Sequence, residues 1–191
     1  MNESDDSLDT SPDQRLFGDS LDCALVLPVS VTPATTAGRQ TQAVTLLQGL
    51  AQIEDLRKDE GGGSEEHGDL PLLAQRMDAK LDLILALVGR LASHADGLPE
   101  RPVRWSRAGL HVDLEQADAL ATGTRVIVRL QPADWLPDHL ELPASVVARA
   151  AAGSGHRVWL AFVDLRADLV EALDRHLFRL HRRQVAEQRR R

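Results

Sequence analysis

The residues with the most chemical capacity stand together in Arg101–Gly109, R-P-V-R-W-S-R-A-G. Arg101, Arg104 and Arg107 flank Ser106 and Gly109 at what reads as a turn into a strand. Guanidinium forks match phosphate oxygens, a serine hydroxyl adds a hydrogen bond, and glycine lets the backbone turn tightly. The chemistry this offers is recognition of an anion. A β-turn with solvated arginines would use the same residue types, so both readings stand on the residues alone.

Covalent chemistry finds no comparable support. Ser106, His111 and Asp113 suggest a relay, but His111 and Asp113 are two apart on one strand and cannot flank an imidazole from opposite sides. There is no G-x-S-x-G nucleophile elbow. A phosphate-cradling G-x-x-x-x-G-K-S/T is also missing, and Lys58 and Lys80 are the only lysines. His67, His94, His111, His139, His156, His176 and His181 are scattered, and the last two are five apart, not on one helix face. Cys23 is the single cysteine, which excludes an intramolecular disulfide and a cysteine-based zinc cluster. No metal, no cofactor and no enzymatic activity are expected.

The elements that must hold these residues follow from a chain of 191 residues, 43% hydrophobic, with a net charge of −7. That is one domain with extensions, and enough apolar content for a core. The acidic balance argues against a nucleic-acid binder. With no apolar run near 20 residues and no basic start, a cytoplasmic protein without a membrane span is expected. Charge is polarised. Residues 1–22 hold Glu3, Asp5, Asp6, Asp9, Asp13, Asp19 and Asp22 against Arg15 alone, while residues 175–191 hold seven arginines against Glu187. An acidic disordered start (1–20) and a basic helix end, which suits the helix dipole, account for this.

Along the chain, 21–31 reads as a strand, with Pro28 placing it at a sheet edge. Residues 41–58 carry the helical stripe Leu46, Leu47, Leu50 and Ile53, and the glycine- and acid-rich 59–69 reads as a flexible linker. Leu70, Ala74, Met77, Leu81, Ile84, Val88 and Leu91 then alternate steps of four and three, the a and d positions of three heptads. Gly97 and Pro99 end that helix. Residues 101–163 become short alternating strands, with Gly153-Ser154-Gly155 as a hairpin turn. Val170, Leu173, Leu177 and Leu180 restore a heptad seam over 167–190. Apolar residues at a, d and flanking positions favour three or four strands in a bundle, so Met77, Leu81, Ile84, Val88, Leu91, Val170, Leu173, Leu177 and Leu180 are expected at a homo-oligomer interface.

The segment from Arg104 resembles the PilZ domain, a bacterial receptor module for cyclic di-GMP. That family carries R-x-x-x-R followed by D/N-x-S-x-x-G. Ser106 and Gly109 match the second motif, and Arg104 replaces its acid or amide. Literal R-x-x-x-R occurs at Arg125/Arg129, Arg175/Arg179 and Arg179/Arg183, in each case after Ser106 and not before it. The closer resemblance is to the atypical, tetramer-forming branch. It lies in M-D-A-K-L-D-L-I-L-A-L-V-G-R-L over 77–91, V-R-W-S-R-A-G over 103–109 and H-L-F-R-L-H-R-R-Q over 176–184, and spans roughly residues 20–188.

The resemblance implies an α+β fold over 21–191: a small antiparallel PilZ-like β-barrel with an inserted helical hairpin (41–95), further strands over 101–166 and a C-terminal oligomerisation helix (167–190). It implies a non-enzymatic signalling protein that acts as a helix-bundled tetramer and has cyclic di-GMP as its ligand, contacted by Arg104, Ser106, Arg107 and Gly109. The alternative is an oligomeric protein–protein scaffold, docking a protein partner, that has lost the nucleotide.

Overall fold

The computed structural model of the chain describes residues 11–59, 77, 81, 84, 88, 97–133, 136 and 138–189. In chain order the elements are α1 (Pro12–Phe17), β1 (Asp22–Pro33), α2 (Gln40–Asp59), β2 (Glu100–Ser106), β3 (Gly109–Leu114), β4 (Arg125–Leu130), β5 (Leu140–Ala152), β6 (Gly155–Phe162) and α3 (Ala167–Gln188). Met77, Leu81, Ile84 and Val88 are helical. The proposed linker over 59–69, most of the expected second hairpin helix including Leu91, and the first ten residues of the expected disordered start lie outside the described residues.

The six strands are antiparallel and hydrogen-bond in the closed order β1-β2-β3-β6-β5-β4. Closure depends on β1 changing partners. Asp22–Pro28 pair with β2, and Val29–Pro33 pair with β4. Pro28, read from the sequence as the mark of an edge strand, instead sits at this changeover. There it needs no amide proton, and its carbonyl accepts the backbone N–H of Gln131 at 3.0 Å. β5 carries an irregularity between Val146 and Ala148 that bends it against β6. The β5–β6 hairpin turns at Gly153, whose φ of 57° is one that glycine adopts without strain.

The expected small β-barrel is corrected to a mixed α+β unit: the six strands close on one another, but helices complete the core. The sheet is not a barrel that fills itself. Trp105, Leu110, Leu140 and Leu160 share one continuous core with Ala43, Val44 and Leu47 of α2 and with Leu169, Leu173, Leu177 and Leu180 of α3. Strands and helices therefore fold as one unit.

This packing also corrects the expected oligomer seam on α3. Leu173 and Leu177 are 0% and 1% exposed within a single chain, and Leu180 is buried as well. Val170 is half-buried. The heptad spacing marks a buried stripe, and what buries it is the chain's own sheet and α2. By contrast, Met77, Leu81, Ile84 and Val88 are 58%, 55%, 54% and 53% exposed.

Two buried polar groups are placed by this core. The Gln40 side chain donates to the carbonyls of Ala37 (3.1 Å) and Asp164 (3.0 Å) and accepts the N–H of Arg166 at 2.8 Å. It thereby ties the start of α2 to the start of α3. His176 packs against Trp105, ring centroids 5.6 Å apart, with its Nε2 buried and unpartnered. Burial, aided by the positive charges of Arg183 and Arg179, pushes its pKa down from 6.5 to about 4. The unfolded chain takes up this proton first, so the contribution of His176 is intact above pH 6.5 and is lost as pH falls toward 4. The loss is on the order of 3 kcal/mol. The melting temperature of the wild type is expected to fall across that window, and that of His176→Gln to fall much less. Parallel pH profiles would refute it.

Candidate functional site

The hairpin that joins β2 to β3 carries all four residues assigned to ligand contact, and the structure divides them. Arg104 and Arg107 point outward from the hairpin and Ser106 and Gly109 inward. Ser106 is fully buried. Its hydroxyl donates to the carbonyl of Leu16 at 2.6 Å and accepts the N–H of Ala108 at 3.1 Å. Gly109 lies so close to β6 that a Cβ there would sit 2.1 Å from the Leu160 carbonyl oxygen. These two positions build the turn, and Leu16 of the chain itself covers both.

The arginines already have partners. Arg104 donates to both carboxylate oxygens of Asp22 on β1, at 2.7 and 3.2 Å. This bidentate pair holds the guanidinium charged, its pKa raised chiefly by the Asp22 hydrogen bond. The guanidinium also lies over the Phe17 ring, 4.3 Å from its centroid. Arg107 reaches Asp174 on α3 at 3.1 Å, with both side chains substantially exposed. Asp22, Phe17 and Asp174 escaped sequence reasoning, since each comes from a distant segment and no local pattern announces it.

Around Arg104 the outer face of the sheet is aromatic and charged. His111 on β3 meets Phe17 edge-on (5.6 Å, 83°) and lies 6.0 Å from Trp159 on β6. Next along the strand, Asp113 is gripped by Arg157 at 2.7 and 2.9 Å, and its backbone carbonyl accepts from Arg101 at 3.2 Å. That grip holds the Asp113 carboxyl below its usual range. Burial and the Arg157 charge hold the His111 pKa down. Ser106, His111 and Asp113 therefore form no relay: each is bonded or packed to a different group.

This face is covered by α1. The stretch expected to be disordered up to residue 20 instead forms a helix over Pro12–Phe17, capped by the Ser11 hydroxyl accepting the N–H of Gln14 at 3.2 Å. Leu16 and Phe17 are its buried residues. Asp13 accepts the indole N–H of Trp159 at 2.9 Å.

A second charged group stands on β4 and β5. Arg39 and Arg129 both reach Glu141, at 3.2 and 3.3 Å, and His139 lies 3.6 Å from it. Burial pushes the Glu141 carboxyl up, but the arginines and His139 outweigh it and hold the group down. Arg125 pairs with Asp164 at 2.8 Å. The literal R-x-x-x-R of Arg125 and Arg129 is thus two separate ion pairs on the outer face of a strand. Cys23 is buried, its thiol donating to the Leu177 carbonyl at 3.6 Å, and burial followed by the Asp22 charge raises its pKa to about 11. Among the described residues no three metal-ligating side chains gather, and no helix is long and apolar enough to cross a membrane.

Comparison with known proteins accords with this architecture. No curated protein matches the chain. Among solved structures, a pathogenic protein from Xanthomonas campestris, described as a tetrameric PilZ domain self-assembled through an unusual helical bundle, is 48% identical. The match covers 95% of this chain and 99% of that one, with a TM-score of 0.73. YcgR from Escherichia coli in complex with cyclic di-GMP matches at 16% identity over 48% of this chain and 39% of its own (TM-score 0.41). The Bacillus subtilis inhibitor of motility, MotI/DgrA, matches at 13% over 88% of this chain and 51% of its own (TM-score 0.45). Residues 47–190 match the model of the atypical PilZ domain, cyclic di-GMP receptor. The chain therefore belongs to the atypical PilZ domain family, whose members are non-catalytic signalling modules linked to cyclic di-GMP.

Proposed function

We propose that this chain is a signalling subunit that assembles as a tetramer through the helical segment bearing Met77, Leu81, Ile84 and Val88, and that it receives cyclic di-GMP on the face bearing Arg104 and Arg107. One observation carries the assembly. Four large apolar side chains, spaced 4, 3 and 4, are each more than half exposed in a single chain. Leaving them in water costs about 25 cal/mol per Å² of apolar surface, and copies of the same helix cover them at heptad spacing. The relative from Xanthomonas campestris, described as a helically bundled tetramer, supports the same arrangement. Val170 and Leu91 are secondary candidates for this interface.

Leu81→Asp combined with Ile84→Asp is expected to reduce the mass measured by light scattering from four chains to one. The far-UV circular dichroism of the sheet should persist, because neither side chain belongs to the buried core. A wild type that is monomeric at micromolar concentration would refute the assembly.

Nucleotide binding is supported by the family and by two arginines on one hairpin suited to phosphate or to stacking on a guanine. Ser106 and Gly109 would then act by shaping that hairpin. The scaffold reading draws on a specific observation as well: Arg104 and Arg107 are already engaged by Asp22 and Asp174. Calorimetric titration with cyclic di-GMP separates the two readings.

A further inference from the structure

We propose that α1 is an internal occupant of the nucleotide face, so that cyclic di-GMP and the Pro12–Phe17 helix exclude one another. This rests on the reading that the Arg104 face receives the dinucleotide.

The contacts of α1 fall on Arg104, which that reading assigns to the ligand, and on the residues around it. The Phe17 ring lies on the Arg104 guanidinium at 4.3 Å, where a planar base would stack on that cation. Its edge meets His111. The Asp13 carboxylate bonds Trp159 and lies within electrostatic reach of Arg104, Arg157 and His111, as a phosphate on this face would. Ser106 spends its hydroxyl proton on the Leu16 carbonyl. The Leu16 side chain fills the space above Gly109, its Cδ2 being 3.0 Å from where a Cβ would stand. An aromatic ring over a guanidinium and a carboxylate among three cationic or titratable groups reproduce the two chemical halves of a nucleotide.

α1 is also built to leave. Six residues are too few to hold a helix in water without a seat. Leu16 and Phe17 are buried but stand outside the continuous core of sheet, α2 and α3. The helix is tethered to β1 only through Gly18–Leu21, so it can swing away without unpairing a strand. Its remaining side chains are exposed or only partly covered.

The test is calorimetric titration of cyclic di-GMP into the full chain and two variants. Phe17→Ala removes the ring from Arg104. Ser11→Ala with Asp13→Ala removes the helix cap and the Trp159 contact and alters no buried side chain. If α1 occupies the face in 90–99% of molecules, releasing it tightens apparent binding by about 10- to 100-fold. Phe17→Ala is expected in that range and the cap variant at about threefold. Tighter binding by the cap variant alone also supports the proposal should Phe17→Ala fail to fold. Equal affinity in the wild type and the variants overturns it and leaves nucleotide binding standing. Weaker binding in both variants overturns it by making α1 part of the binding site. No binding by any of the three removes the nucleotide reading itself, and the competition with it.

Discussion

Replacing Leu173 and Leu177 together by Asp is expected to abolish folding, not merely to separate subunits. Both leucines are fully buried in the core that α3 shares with the sheet and α2. The change removes two packed side chains and places two carboxylates where no cation is arranged to receive them. The combined cost exceeds about 5 kcal/mol, comparable with the whole stability of a domain at about 5–15 kcal/mol. Circular dichroism and soluble yield measure it, with Leu81→Asp/Ile84→Asp as the folded comparison. A well-folded monomer carrying both α3 substitutions would move that stripe to a subunit interface and overturn the assignment made here.

Gly109→Ala is expected to be nearly as disruptive for a single methyl group. The added Cβ would lie 2.1 Å from the Leu160 carbonyl oxygen and 3.0 Å from both the Ala161 Cα and the Leu16 Cδ2. Two of those three neighbours are main chain of β6, paired in register with β3, and cannot step aside without opening the ladder. A destabilisation of about 3 kcal/mol follows, equivalent for a chain of this size to a melting temperature lower by on the order of 10 °C. The third neighbour belongs to α1, so the same variant should expose the Arg104 face. An unchanged melting temperature would show that β3 and β6 tolerate a wider spacing.

Much of the fold was legible because periodicity reports burial. The stripe of Leu47 and Leu50 on α2, the alternation of β3 and the Gly153 turn all lie where the pattern placed them. Periodicity does not say what does the burying. Leu173, Leu177 and Leu180 repeat at 4 and 3 whether they meet another copy or their own sheet, and here they meet their own sheet. Pro28 misled for a related reason: a missing amide proton marks an unpaired position, and a strand that changes partners has one in its middle. α1 escaped because six residues contain too few turns to show a period. At the candidate site, residue type was readable and orientation was not. Arg104 announced a cation, but its partner Asp22 is 82 residues away. Ser106 announced a hydroxyl, and only the seating of Leu16 reveals that it points inward.

The amide of Gln40 has a mechanical meaning. It fastens the first turn of α2 to the Asp164–Arg166 corner, and Arg166 adds a bond to Thr41 at 2.9 Å. The starts of α2 and α3 are therefore bolted to one another, and neither can shift alone without breaking these bonds. α3 in turn touches the Arg104 hairpin through Asp174 and Arg107.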